Sequence, residues 1–546
     1  MNKIASYLNE HILGEALSAP AVRQRFSRDG SIFTITPDVV IHPKSTNDIR
    51  KVARFSWQLA EKGHVVPITA RGSGSDQTGA AVGSGLIVNT LAHLNKIIYV
   101  SPRGKEPFVH TQPGVLFKTL NDTLQAQGLT VPTAPRSAAY STIGGAVANN
   151  SGGPLSGRYG AIGDWVNKLE VVLANGDVIE TGRLSRKDFD KKKGLQTFEG
   201  EIYRKIDGLI EDNEQMITDK ITDEIRDNTG YGGVAFVKQR DGSFDLTPLF
   251  IGSQGTLGII SEIVLKTAFY SSGEAMVVAY FETAEAARDA ADALVSLQPV
   301  ELGLIDNQLF IEARDLGKRY PFFDSGSFEE AGAVLFVNFN DFGDGARHRK
   351  LKHAVKELLK REARVFSSED HPLEELQAVK EVESTTLWGA VKGKTKPSLI
   401  DGAAIPLEQR EEFLRSLKEL AEKHHISLPV YIRWLDGVIY TRPTLQLHYV
   451  GDKQKAFRLI SDYAELVSRH GGSMSADSGE GRLRANAYYA QLDSDVIELY
   501  TRIRSIFDPF GTLNPGVKQK SDLKTLVGAL NSEFDMSDLS VHAPVN

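Results

Sequence analysis

Between about residue 33 and residue 266 the apolar positions fall in short runs of strand length, such as "VVPITA" and "GLIVN", separated by tight turns. One segment breaks that rhythm. "STNDIRKVARFSWQLAEKGH" opens on Ser45 and has Asp48 in its first turn. It sets Ile49, Val52, Ala53, Leu59 and Ala60 on one face and stops at Gly63, which predicts a helix between strands. "VNKLEVVLANGDVIETG" predicts a hairpin turning at Asn175-Gly176, and "VAFVKQRDGSFDL" a second at Asp241-Gly242. Beyond about Lys266 the texture changes. "EAMVVAYFE" and "GAVLFVNFND" read as strands, each followed by a helix, "TAEAARDAADALVSL" and "GARHRKLKHAVKELLKREA". Two further helices, "LEQREEFLRSLKELAEKHH" and "DKQKAFRLISDYAELVSRHGG", flank the strand-like "SLPVYIRWLDGVIYTRPTLQL", in which His448 reads as a strand residue without a chemical role. Strands backed by helices on one face predict an α+β domain on an antiparallel sheet. "SDVIELYTRIRSIFDPFGTLNPG" is a helix stopped by Pro509, and residues 519–546 read as a loosely held tail with one short helix. The basic string from Arg347 to His353 lies on a helix, where it forms a solvated face.

Composition narrows the class. A chain of 546 residues exceeds one ordinary core, so two or three domains are expected. Its 41% hydrophobic and 24% charged residues are those of a soluble globular protein, and a net charge of −7 points away from a nucleic-acid partner. There is no cysteine, which excludes disulfides, thiolate metal sites, iron–sulfur clusters and cysteinyl cofactor links together. No run approaches the roughly 18 apolar residues of a membrane span, and the N-terminus lacks the apolar core of a signal peptide. A cytoplasmic protein is the expectation, with peripheral membrane contact left open.

The first candidate for chemistry is "RGSGSDQTGAAVGSGLIVN", Arg71 to Asn89, a bare glycine-rich loop between two strands. Such a loop lets backbone N–H groups approach a phosphate. No lysine follows the glycines as a P-loop requires, and no helix follows as a dinucleotide fingerprint requires. Further along come "PTAPRSAAYSTIGGAVANNSGGPLSGRYG", "LFIGSQGTLGIISEIVLKT" and "DPFGTLNPGVK". In this order the segments closely resemble the FAD-linked oxidases of the vanillyl-alcohol-oxidase superfamily, and within it the D-lactate, glycolate and D-2-hydroxyglutarate dehydrogenase branch. The resemblance runs from about Phe33 to Lys518.

That resemblance implies an α+β chain. It implies an N-terminal helical segment (1–32), a two-part FAD-binding domain (33–270) and an antiparallel-sheet substrate or cap domain (271–482). A C-terminal segment (483–518) returns to the FAD domain, and a tail (519–546) follows. It implies FAD held by Arg71, Gly72, Ser73, Gly74, Ser75, Asp76 and Thr78 at the pyrophosphate. Pro135, Thr142, Gly144, Gly145, Ala148, Asn149, Ser151 and Gly152 form a second wall, with Gly255, Gly258, Ile260 and Asn514 closing on the cofactor. Relatives with covalent FAD attach it through histidine or cysteine near these loops. This chain has no cysteine, and no histidine between His64 and His93 or between His110 and His348, so non-covalent FAD is expected. The family commonly has Arg-Gly-Gly-Gly-Thr-Gly where this chain has Asp76 in the sixth place. A carboxylate repels a pyrophosphate, so its side chain is expected to turn outward and cap its own turn.

In the same branch a stretch like His-x-Gly-Asp-Gly-Asn-x-His supplies two metal ligands, and Gly-Glu-His-Gly a further ligand and a catalytic histidine. Here the stretches read "RWLDGVIYTRP" and "SADSGEGR". Arg433 and Tyr440 stand for the two histidines, Asp477 for the glutamate and Ser478 for the catalytic histidine, and Arg442 belongs to a common Arg-Pro. With both imidazoles gone, no metal is expected. Arg433 is the expected partner for a substrate carboxylate and Tyr440 a hydrogen-bonding or proton-relaying group, although simple filling of the former metal site is an equal alternative. Arg482 is a further anion-binding candidate, whereas Lys394 and Lys396 read as loop lysines. The expectation is an FAD-dependent dehydrogenase for a small, anionic 2-hydroxy acid, passing hydride to flavin N5. A sugar or alcohol oxidase on the same scaffold, or a flavoprotein that only relays electrons, stays open. The acceptor (quinone, electron-transfer protein or oxygen) and the oligomeric state are not read from the sequence.

Overall fold

The computed structural model describes residues 2–104, 106–221, 224–318, 320, 331–384, 394–531 and 533–534. The helix Thr46–Ala60 forms as its pattern predicts. Ser45 accepts the Asp48 N–H at its start, and Ile49, Val52 and Ala53 are buried against a four-stranded sheet. That sheet runs in the order Glu15–Leu17, Val39–His42, Leu86–Asn89, Ile68–Arg71; its last three strands are parallel. Leu86–Asn89 is buried along its whole length, as parallel strands covered on both faces are. The N-terminal segment is therefore more than helical. After the helix Lys3–His11 it adds the antiparallel edge strand Glu15–Leu17, whose entry is tied down by Asp48 accepting from the N–H groups of Leu13 and Gly14.

A second, five-stranded antiparallel sheet has the order Ile97–Ser101, Phe108–Thr111, Ile259–Lys266, Val166–Val172, Val178–Glu180. The hairpin at Asn175-Gly176 closes its edge. The turn at Asp241-Gly242 forms too, but without strands. Lys238 and Phe244 make one isolated bridge, because Phe244 also pairs with Leu184, and "GGVAF" is a short helix.

The remaining domain is a seven-stranded antiparallel sheet, ordered Arg364–Ser367, Ala275–Phe281, Ala333–Phe339, Glu301–Asp306, Val430–Arg433, Val438–Thr441, Ala403–Ala404. Ala275, Val277, Ala279 and Phe281 face the core with the long helices Ala284–Val295, Asp344–Leu359, Arg410–His424 and Val450–Arg469. Met276, Val278 and Tyr280 face a second core with Asn307–Asp315 and Leu373–Gln377. Both faces are thus covered, where one was expected. "VYIRWLDGVIYT" is an antiparallel hairpin, and His448 lies in the turn after it, outside any strand. On the helix Asp344–Leu359 the basic string lies on the outer side, with Arg347 and Lys350 paired to Asp344 and Asp341.

The helix Ser494–Phe507 returns to pack against Phe198–Asp212, and the turn beyond Pro509 joins the first sheet: Ile68 N–H donates to Thr512 O at 2.7 Å, and Asn514 N–H to Ile68 O at 2.8 Å. The tail is not loose through residue 534. After the helix Leu523–Gly528, Leu526 and Leu530 are buried, and residues 529 and 531 bond to the backbone of Thr34 and Ile32. The rest of the expected tail, 535–546, lies outside the described residues. Among the described residues no helix is long and apolar enough to cross a membrane.

Candidate active site

Three glycine-rich turns meet where the first two sheets adjoin. The loop after Ile68–Arg71, the turns around the helix Ile143–Asn149 and the loop leading into Ile259–Lys266 line one long cleft. Their mutual position is set by the backbone: Gln254 N–H donates to Ala148 O at 2.8 Å and Gly252 N–H to Val147 O at 3.0 Å. At this end the cleft is a donor cradle. Among the described residues no backbone N–H from Gly72 through Gln77 reaches an acceptor. Gly74 takes φ +84°, a conformation that favours glycine, and a Cβ there would fall 2.2 Å from the Arg71 guanidinium. Arg71 is itself buried, with Nε and Nη2 unpartnered, and burial lowers its pKa to about 10 against the pull of Asp29 and Asp76. Thr142 comes so close behind Gly72 that only glycine fits, since a Cβ would lie 2.1 Å from its Oγ1.

All the residues expected at 71–78, 135, 142–152 and 255–260 line this cleft, and Asn514 does not. Asn514 sits behind the cradle, fully buried, with its amide donating to Ala80 O and Gln254 O at 2.8 Å. It bolts the loops together from the far side. Arg482 is also displaced from its expected role: it donates to Gly79 O at 2.6 Å and Val82 O at 2.7 Å and faces no cleft. Asp76 caps its turn as expected, accepting from Thr78 N–H at 2.9 Å and Ala80 N–H at 2.8 Å. It points inward rather than outward, where Asn149 donates to it at 3.1 Å.

The other end of the cleft is built from charged side chains of the seven-stranded sheet and its neighbours. Tyr440, Arg442, Asp477 and Ser478 line it, joined by four charged residues that the sequence reading passed over: Arg136, Glu383, Asp401 and Arg484. Arg433 does not line it. Its guanidinium is 3% exposed and fully used: it pairs with Asp436 at 2.7 Å, and Nη1 donates to Asp477 at 2.9 Å, Tyr440 Oη at 2.9 Å and Gly153 O at 2.7 Å. Tyr440 in turn donates to Asp477 Oδ2 at 2.8 Å. Burial alone would raise the Asp477 pKa, but Arg433 and the Tyr440 hydroxyl hold it below the usual carboxylate range. Burial pushes the Tyr440 hydroxyl well above its ordinary value. The expected free cation at 433 is therefore an internal strut, because two partly buried carboxylates, a hydroxyl and a carbonyl claim it.

Arg442 is arranged differently. Its Nε lies against Asp401 Oδ2, Nη2 donates to Gln77 at 3.2 Å, and Nη1 is buried with no partner among the described residues. Arg136 pairs with Glu383 and sits over the Tyr431 ring, 4.2 Å from its centroid. Lys396 lies in a loop but is not an exposed lysine, for it is mostly buried and paired with Glu312, while Lys394 is exposed.

Two family descriptions match the chain, FAD binding domain over residues 37–182 and FAD linked oxidases, C-terminal domain, over residues 271–517. This chain belongs to the FAD-linked oxidase family. It is 25% identical to the D-2-hydroxyglutarate dehydrogenase of Pantoea ananatis over 92% of its own length and 50% of that protein, and so spans about half the length of such relatives. It is 25% identical to glycolate oxidase subunit GlcD of Bacillus subtilis, covering 90% of this chain and 91% of that one. In fold it is similar to the 4-ethylphenol oxidase from Gulosibacter chungangensis, with a TM-score of 0.66 at 14% identity over 95% of this chain and 97% of that one. FAD is the family's cofactor, and the glycine end of the cleft fits it. Free N–H donors at 72–77 suit a pyrophosphate, and the small walls at 144–152 and 255–258 leave room for a flat ring.

Proposed function

We propose that this family member oxidises a small, anionic 2-hydroxy acid with non-covalently held FAD and without a resident metal. The observation that carries the substrate class is Arg442 Nη1, a buried, unpartnered guanidinium nitrogen at the end of the cleft away from the glycine cradle. An unpartnered buried donor is costly unless a ligand answers it, and a carboxylate does so with a charge-assisted bond. The names of the relatives support the same class. Non-covalent attachment is supported by the lining, where no histidine stands among the described residues.

FAD, when bound, supplies the hydride acceptor for the oxidation of the α-carbon. The residues of the chain do the rest. Arg442 orients the substrate by its carboxylate, and Gln77 holds that guanidinium from the cofactor side. The Arg433–Asp477–Tyr440 triad makes a rigid wall in which one guanidinium holds a carboxylate and a hydroxyl at 2.9 Å. A metal-free site is supported by the residue types, since the Arg433 guanidinium occupies the Asp477 carboxylate and no imidazole lines the cleft among the described residues.

The test is a panel of 2-hydroxy acids, neutral alcohols and sugars mixed anaerobically with the purified yellow protein. Bleaching of the flavin band by hydroxy acids alone is expected, with the flavin released on acid precipitation. Bleaching only by uncharged alcohols or sugars would overturn the substrate class, and flavin retained in the precipitate would overturn non-covalent attachment.

A further inference from the structure

Of the carboxylates at the charged end, two have their oxygens occupied. Asp477 accepts from Arg433 and Tyr440, and Glu383 pairs with Arg136. Asp401 differs. It is 5% exposed and lines the cleft, its Oδ2 lies against Arg442 Nε, and its Oδ1 meets no cation or backbone donor among the described residues, with only the Ser398 hydroxyl nearby. Its backbone is fixed on both sides. Arg484 donates to Asp401 O at 2.9 Å, and Gly402, at φ +83°, donates to Ile439 O at 3.0 Å. The carboxylate thus stands on a fixed backbone beside a guanidinium that has an unpartnered nitrogen.

We propose that Asp401 is the general base of the reaction, taking the α-hydroxyl proton of a 2-hydroxy acid whose carboxylate is held by Arg442. This rests on the 2-hydroxy-acid reading above. The substrate O–H bond breaks and its proton passes to the Asp401 carboxylate. The α-C–H bond breaks with its electron pair, which leaves as hydride to FAD, and the C–O bond becomes C=O. The 2-hydroxy acid is oxidised to a 2-oxo acid, and FAD is reduced. One substrate carbon separates carboxylate from hydroxyl, which suits two enzyme groups that touch each other. The alternatives at this end are poor bases: Asp477 is held below the ordinary range with both oxygens in use, the Tyr440 hydroxyl is pushed far up, and Ser478 needs a base of its own.

The charges around Asp401 agree. Burial raises its carboxyl to about 6, with Arg442 opposing, Glu383 adding, and Arg484 and the neighbouring Ser398 hydroxyl opposing. Tyr463 of the helix Val450–Arg469 also faces it, and stays neutral because burial drives its own pKa up. A base of this strength is ionised at neutral pH and recovers a proton in mild acid, the range in which general bases work.

The experiment follows anaerobic flavin reduction in the full chain with FAD bound, from pH 5 to 8, for wild type, Asp401→Asn and Asp401→Glu. Oxalate, an anion that gives up no hydride, is titrated in parallel by its shift of the flavin band. The wild-type rate is expected to rise with pH through about 6 and then level off. Asp401→Asn is expected to be slowed about 100-fold or more with no pH limb, and Asp401→Glu to recover part of both. Oxalate affinity is expected to fall as pH rises through the same range in wild type, as Asp401 gains charge, and to stay level in Asp401→Asn. A wild-type rate without an ionisation between pH 5 and 8 overturns the assignment, whether or not the variants fold. So does an Asp401→Asn protein as fast as wild type. A wild-type flavin that no 2-hydroxy acid bleaches overturns the substrate reading, and this assignment with it.

Discussion

At the glycine end of the cleft the ligand-facing groups are main-chain N–H donors without protein partners, while at the charged end the side chains mostly pair with one another. Arg433 and Arg442 show the contrast within one hairpin. The first ends the strand Val430–Arg433 and turns back onto Asp436 and Asp477; the second follows the strand Val438–Thr441 and keeps a nitrogen unanswered. A buried arginine is thus no guide to function until its donors are accounted for one by one. A fully bonded guanidinium holds the wall, and a partly bonded one can hold a ligand.

The sharpest way to break this contrast is to remove the strut. Arg433→Met leaves Asp436 and Asp477 without their cation in a site where both are largely buried. Breaking a buried pair from one side costs about 3–5 kcal/mol, so the seven-stranded domain should lose a large part of its stability. Thermal unfolding followed by circular dichroism is expected to show a clear drop in midpoint. If the midpoint is unchanged and only substrate affinity falls, Arg433 is the ligand-holding arginine after all.

Removing the partly bonded arginine should do the opposite. Arg442→Met deletes the proposed carboxylate contact, a charge-assisted bond worth roughly 1.5–3 kcal/mol. Apparent affinity for a 2-hydroxy acid is expected to fall about tenfold or more. Flavin content is expected to change far less than substrate affinity, since Arg442 touches the glycine loop only through the Gln77 side chain. Flavin reduction measured against substrate concentration decides it; an affinity equal to wild type would leave Arg442 as packing.

How far each end was readable from the sequence follows from how it is built. The cradle depends on residue types that leave the backbone bare, and "RGSGSD" or "STIGG" announces that locally. The helix from Thr46 was readable for a similar reason, since its apolar spacing and Ser45 cap lie within one segment. The charged end joins Arg136, Glu383, Asp401 and Arg442, which lie far apart in the chain and meet only when the sheet forms. Asp401 did carry a faint local signal: a lone carboxylate inside the apolar and small-residue run "LIDGAAI", all of it buried in the fold. Nothing local distinguishes Arg482, which faces backbone carbonyls, from an arginine facing a ligand. Likewise Asn514 was read as a cofactor contact because it stands in the right motif, yet it works one layer behind.

The cradle can be broken with a single methyl group. Gly74→Ala puts a side chain on a residue at φ +84°, a conformation that costs an L-residue roughly 1–2 kcal/mol, and places it against Arg71. The loop must shift, and its unpartnered N–H groups move with it. FAD per chain after dialysis is expected to fall several-fold, with the thermal midpoint of the seven-stranded domain little changed. Full flavin retention would show that the cradle tolerates a shift and that FAD is held elsewhere along the cleft.

The smallest expected effect is that of a chelator, which is none. A divalent cation at this place would need Asp477 together with nitrogen or oxygen donors at 433, 440 and 478. Arg433 instead brings its own positive charge to 2.9 Å from Asp477 Oδ1, and the Tyr440 hydroxyl donates a hydrogen bond to Oδ2, so both carboxylate oxygens face donors. A metal would have to displace a guanidinium that is also bonded to Asp436 and Gly153. Flavin reduction by a 2-hydroxy acid is therefore expected to run at the same rate before and after dialysis against EDTA, and to be unmoved by added zinc or manganese. The result that would sink this is loss of activity on chelation with recovery on readdition, at about one metal per chain by elemental analysis. The strut would then have to swing away to open a site, and Arg433 would join Arg442 as a working residue.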